Sequence, residues 1–255
     1  MGGAAAVLRP DTAGTPGARL ALAGAVLAAL AAWDAHASRL PQLADRWDVV
    51  LIATVVIPAT FLVVWLLAPF ADARRVPLAL VAAAVAAVLL ELAGLESLFN
   101  AGKIVAFALF GFLFLQLLEQ LWWVVLVAAL IPLVDIASVY RGPTKVVVEE
   151  EPGVFERIAI SFALPGEEAA ARLGPPDVIF FALFLAAAGR FGLRRGATWL
   201  GMTAAISATL VLTYALELDG LPALPAVSLG FLLPNADLLW RSWRDRSATE
   251  APGRG

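Results

Sequence analysis

Eight apolar stretches succeed one another along this chain, and they restrict its fold more than any other feature. They are Arg19–Trp33, Asp48–Phe70, Val76–Leu95, Lys103–Leu118, Leu121–Tyr140, Asp177–Gly189, Thr198–Leu216 and Leu221–Trp240. A helix crossing a hydrocarbon core about 30 Å thick needs roughly 20 such residues. The run from Lys103 to Tyr140 is too long for one crossing, because as one helix it approaches twice the bilayer thickness. Its only polar pair near the middle, Glu119-Gln120, marks the expected break. Of the 255 residues 61% are hydrophobic and 15% charged, and mean hydropathy is +0.86. Soluble domains run near 45–50% and about 25%. A soluble fold of this length has too little interior for so much apolar surface. The expected class is an all-α polytopic membrane protein of about eight transmembrane helices.

Composition also narrows the chemistry. There are no cysteines, which removes disulfides, thiolate catalysis and thiolate-bound metals. The single histidine, His36, makes an imidazole metal site unexpected, so neither a metal nor a cofactor is expected. The net charge of −3 without a basic tract argues against nucleic acid. The first stretch, followed by Ala35-His36-Ala37, also fits a cleavable secretory signal. The segment Arg141–Pro176 is polar and acidic. Within it, Lys145–Glu149 and Arg157–Phe162 flank Pro152-Gly153, which predicts a short β-hairpin with its turn there; a disordered acidic loop is the alternative.

A carboxylate within a membrane helix costs at least about 2.5–3.5 kcal/mol on insertion scales, so each one asks for a role. Glu91 stands near the end of its stretch, where it can reach the interface, and Asp237 can pair with Arg241 one turn on. Asp135 lies deep in the fifth stretch among Ile131, Leu133, Val134 and Ile136, and Asp177 opens the sixth. The acidic loop joins these two stretches, so both aspartates approach the membrane from one side. On their own they fit either a proton or cation path or a catalytic dyad. The last stretch begins Gly220-Leu221-Pro222-Ala223-Leu224-Pro225. Its prolines withhold backbone donors, and irregular backbone at membrane depth is tolerated only beside a protein-buried or wet cavity.

These pieces resemble the presenilin and signal peptide peptidase family of GxGD-type intramembrane aspartyl proteases, in the form of a prokaryotic presenilin-like homologue. The family has an aspartate in one helix, a Gly-x-Gly-Asp opening the next and Pro-Ala-Leu opening the last. Here these read Leu133-Val134-Asp135, Leu173-Gly174-Pro175-Pro176-Asp177 and Pro222-Ala223-Leu224. Asp177-Val178-Ile179-Phe180-Phe181 looks like the family's Asp-Phe-Ile-Phe-Tyr, and Arg141-Gly142-Pro143 like its Lys-Gly-Pro. The resemblance covers about 122–240. Val134 stands in place of the usual tyrosine and Pro176 in place of a glycine. Eight helices are one fewer than the family's nine, so a ninth is also anticipated.

The resemblance implies an aspartic endopeptidase acting on transmembrane helices of substrate proteins within the lipid bilayer. Asp135 and Asp177 would be catalytic. Pro222, Ala223, Leu224 and Gly174 would hold the unwound substrate, together with Ile158 and Ile160 on the strand Arg157–Phe162. Two carboxyls at hydrogen-bonding range share a proton. A helix N-terminus stabilises negative charge, which makes Asp177 the expected base and Asp135 the expected acid. Residues 1–120 would supply N-terminal helices, 121–240 the catalytic helices with the 141–176 loop, and 241–255 a disordered cytoplasmic tail. Two other readings remain: a catalytically impaired relative that binds transmembrane helices, motivated by Pro176 and Val134, and a proton-coupled transporter. With eight crossings, eleven of the 18 lysines and arginines fall on the side of the N-terminus and seven on the other. The positive-inside bias then puts both termini of a multi-pass cell-membrane protein in the cytoplasm. Alkaline phosphatase fused after Gly255 should accordingly be inactive and a fluorescent protein at the same place bright; the opposite pair of results reverses the topology.

Overall fold

The computed structural model describes residues 15–141, 157–167, 170–218 and 221–250. Among them are eight helices and one small sheet: α1 (Pro16–His36), α2 (Asp45–Phe70), α3 (Val76–Leu92), α4 (Glu96–Gln116), α5 (Leu121–Arg141), β1 (Ile160–Ala163), β2 (Ala170–Leu173), α6 (Pro175–Arg190), α7 (Arg195–Ala215) and α8 (Leu224–Glu250). Five are long and apolar enough to cross a membrane: Pro16–Arg39, Asp45–Phe70, Glu96–Gln116, Leu121–Ser138 and Arg195–Ala215. This is fewer full crossings than the eight expected, and no ninth helix lies among the described residues. Val76–Leu92 is apolar but shorter. The 16 residues of α6 give about 24 Å at 1.5 Å per residue, short of a 30 Å core.

Local chemistry sets the boundaries. Thr15 caps α1, its hydroxyl accepting from the Ala18 N–H at 3.4 Å, with Pro16 opening the helix, where a missing N–H is harmless. In α2 a π-turn at Ile52–Val56 precedes Pro58. Proline has no N–H to return to that turn, and the Ala53 carbonyl accepts from the Ser207 hydroxyl of α7 at 2.7 Å instead. The chain turns between α4 and α5 at Glu119-Gln120, as the polar pair requires. By contrast, α4 begins at Glu96 rather than Lys103, because its polar first turns face the sheet. α8 runs on to Glu250, so residues 241–250 are helical where a disordered tail is expected from the sequence.

The organising element is α6. Val178 and every residue from Phe181 to Ala188 are buried, and a helix apolar all round belongs in an interior. Phe181 stacks on Phe61 of α2 at 3.8 Å, and Phe184 stacks on Phe231 of α8 at 4.9 Å. Against α4 the approach is closer still: a Cβ on Gly111 would run into the Ile179 carbonyl oxygen and come within 2.9 Å of the Ala182 Cβ. Gly201 of α7 and Gly230 of α8 are matched the same way, a Cβ on Gly201 lying 2.6 Å from the Gly230 oxygen. Small residues that bring helix backbones together are how membrane helices gain packing without a hydrophobic drive between them.

Polar clamps close both ends of the bundle. At one end Arg190 donates from Nε to Asp72 at 2.7 Å and from Nη1 to the Leu115 carbonyl at 2.8 Å. Asn235 is fully buried yet satisfied: it donates to the Thr198 hydroxyl and the Phe231 carbonyl, each at 2.8 Å, and accepts from the Arg194 N–H at 2.9 Å. Asp237 pairs across the helices with Arg194 at 2.8 Å rather than with Arg241 along its own helix. Glu91 pairs with Arg157 at 2.8 Å. Gly111→Ala should lower stability by about 1–3 kcal/mol through overpacking, read by thermal unfolding in detergent. Gly24→Ala, with nothing within 4 Å, should leave stability unchanged or raise it by up to about 1 kcal/mol.

Candidate active site

The predicted hairpin is present in a different pairing. Lys145–Glu149 and Pro152-Gly153 lie outside the described residues. β1 pairs antiparallel with β2, Ile160 opposite Leu173 and Ala163 opposite Ala170. The turn uses Pro165-Gly166 instead, where Gly166 has φ +71° and a Cβ would sit 2.5 Å from the Gln42 nitrogen. That left-handed, crowded position admits glycine alone. Residues 157–158 form a helical turn, with Ile158 exposed, and the strand begins at Ile160, which is fully buried in the core. Neither isoleucine therefore presents its side chain as a free strand edge would.

β2 delivers the chain directly into Gly174, the N-cap of α6, with Pro175 and Pro176 in the first turn. This is where proline costs a helix nothing. Asp177 is the third helical residue. Its Oδ2 reaches back to accept from the Gly174 N–H at 3.1 Å, while its own N–H donates to the Gly174 carbonyl at 3.1 Å. This is the acidic half of a capping box. A Cβ on Gly174 would stand 3.2 Å from that same Oδ2, a tight contact that would push on the carboxylate; its φ of −66° is open to any residue.

Asp135 lies beyond Pro132, a proline inside α5. Its Oδ2 accepts from the backbone N–H of Leu224 at 3.1 Å. Leu224 is the first residue of α8, preceded by the non-helical Pro222 and Ala223, and its N–H is one of the donors a helix start leaves without an internal partner. The first helical hydrogen bond behind it runs from the Val227 N–H to the Ala223 carbonyl at 3.0 Å. Leu224 is buried, Pro222 and Ala223 half-buried. Both aspartates are half-buried, and α5, which carries Asp135, packs against α6, which carries Asp177. The fold thus brings Asp135, Asp177, Gly174 and the Pro222-Ala223-Leu224 turn together. Val134 points out of the bundle and is 61% exposed.

Three contributors escaped sequence reasoning: Trp33 and Asn100, which bond to the β1 backbone, and Lys103, which bonds to the Arg157 and Ala159 carbonyls just before it. The signal was there in Asn100 and Lys103, polar residues that a stretch of lipid-facing helix would not carry. Among the described residues no group of three or more His, Cys, Asp or Glu could hold a metal. Compared with known proteins, the chain matches no family model and no curated protein. The capping geometry has its own test. Asp135→Ala should cost about 1 kcal/mol of thermal stability, the worth of a lost helix cap. Asp135→Asn, which keeps an acceptor for Leu224, should stay within about 0.5 kcal/mol of the parent.

Proposed function

We propose that this protein is an intramembrane aspartyl protease that hydrolyses peptide bonds within transmembrane helices of other proteins. The observation that carries this reading is the hydrogen bond from the Leu224 N–H to Asp135, on the helix packed against the one that opens with Asp177. It ties one aspartate to the Pro-Ala-Leu turn, and these, with Asp177, are the three features that resemble the presenilin and signal peptide peptidase family.

The chemistry needs only the two carboxyls. One carboxylate takes a proton from water as the water oxygen attacks the scissile carbonyl, and the other carboxyl gives its proton to the carbonyl oxygen. The resulting diol collapses: one of its hydroxyls returns a proton to the ionised acid, the C–N bond breaks, and the proton held by the base passes to the leaving amine. Asp177 is assigned the part of base and Asp135 that of acid, and since both carboxyls lie at helix starts the dipole stabilises the charged form of either. In a dyad of two interacting carboxyls the titration belongs to both together. A substrate helix must unwind to offer its carbonyl, and the non-helical Pro222-Ala223 backbone and Gly174 are the surfaces available to it. The setting is the cell membrane, multi-pass, with both termini in the cytoplasm.

A second reading has an observation of its own. Each carboxylate already has a structural occupation, Asp177 on Gly174 and Asp135 on Leu224. A helix-binding relative without activity would keep the aspartates as caps. Asparagine separates the two, since it can still accept from an N–H and cannot do acid–base chemistry. With a reporter transmembrane helix in proteoliposomes, Asp135→Asn and Asp177→Asn should each lose at least about 10³-fold in cleavage. The double variant should be no worse than either single one, as for residues acting as a unit. Substantial activity in either variant rejects the dyad.

A further inference from the structure

The outer edge of β1 is closed by side chains. Trp33 of α1 donates from its indole N–H to the Ala163 carbonyl at 3.1 Å. Asn100 of α4 meets both main-chain groups of Ser161: its Oδ1 accepts from the Ser161 N–H at 2.9 Å and its Nδ2 donates to the Ser161 carbonyl. Lys103, one turn on, donates to the carbonyls of Ala159 and, at 3.3 Å, Arg157. Lys103 is itself buried and Asn100 nearly so. Together they occupy alternate residues 159, 161 and 163, as a third strand would. Alternate residues of a strand bond to opposite sides, so Ile160 and Phe162 turn towards β2.

The register gives this edge a reach beyond the sheet. Lys103 and Asn100 bracket Ile160, whose partner across the ladder is Leu173. The next residue, Gly174, is the N-cap whose N–H holds the Asp177 carboxylate. The path from α4 to Asp177 therefore runs through one side-chain clamp, one strand pair and one backbone bond. A buried ammonium and carboxamide are costly unless their bonds are made. They are met here by backbone that cannot shift without leaving them unpaired.

We infer that Asn100 and Lys103, aided by Trp33, are positioning residues that set the Asp177 carboxylate by locking β1, and through it β2 and Gly174, in register. The clamp stands on its hydrogen bonds, and its effect on turnover rests on the protease reading. Hydrogen exchange in nanodiscs reads the first and cleavage reads the second. In Lys103→Met and Asn100→Leu the Gly174 amide should exchange at least tenfold faster, together with those of Ile160 and Phe162. Amides around Thr203 in α7 should be unchanged, which separates a local effect from general loosening. Lys103→Arg, which keeps the donors, should restore protection. Trp33→Phe, losing only one N–H, should move Gly174 in the same direction by about threefold and serves if the stronger variants do not fold. For turnover, kcat should fall about tenfold with KM altered less than twofold. If β1 loosens while Gly174 keeps its protection, or if none of the amides responds, the inference is overturned. If Gly174 responds but kcat does not, positioning for catalysis is overturned. A parent protein that cleaves nothing refutes the protease reading and leaves the exchange result to be judged alone.

Discussion

A backbone amide or carbonyl within hydrocarbon finds no water, and an unmet one costs several kcal/mol. Most of this chain answers that constraint by being helical. Among the described residues the non-helical parts nearest the aspartates are a two-stranded sheet and the residues before α8. Each is met from inside the protein. β1 has β2 on one edge and three side chains on the other, and the first N–H of α8 has the Asp135 carboxylate. The same rule accounts for the prolines. Pro58 sits beside a π-turn whose Ala53 carbonyl is taken by Ser207, and Pro175 and Pro176 fall in a first turn where no donor is missed.

This constraint also gives the aspartates a double character. A carboxylate that satisfies a helix start is held in one place by that bond, at the end of the helix where the dipole favours negative charge. Capping and catalysis draw on one property, a fixed acceptor, and differ only in whether the group also exchanges a proton. Enclosing α6 on all sides serves the same end. The stacking of Phe181 on Phe61 and of Phe184 on Phe231, with the close approach at Gly111, fixes the axis of the helix that carries Asp177.

How much of this was readable from the residues depends on the range of the interaction. The helices were legible because an apolar run long enough for a bilayer is a local property, and the break at Glu119-Gln120 followed from the same reasoning. Asp135, Asp177 and Pro222-Ala223-Leu224 stood out because charge and proline are misplaced in such runs, and the fold does assemble them. The failures are non-local. Asn100 and Lys103 read as flanking polar residues and displaced the start of α4, since their partners, Ser161 and Ala159, lie far along the chain. The β1 partner Ala170–Leu173 holds no β-branched residue to mark it as a strand, and the cramped Gly166 turn against Gln42 that leads to it depends on a contact far along the chain. Asp237 was matched to its neighbour Arg241, yet the neighbouring helix offered Arg194 at closer range.

The length of α6 has a geometric consequence. Arg190 is held at one end by Asp72 and the Leu115 carbonyl, a charged collar that belongs at a membrane surface. Asp177, near the other end, is about 20 Å away along the axis at 1.5 Å per residue. A hydrocarbon layer of about 30 Å therefore leaves the carboxylate sunk about 10 Å beneath the opposite face. A guest helix standing upright beside it would meet the carboxylates about seven residues in from its end on that face. On the protease reading, the enclosed helix would act as a depth gauge, measuring off where along a substrate helix the two carboxyls can touch.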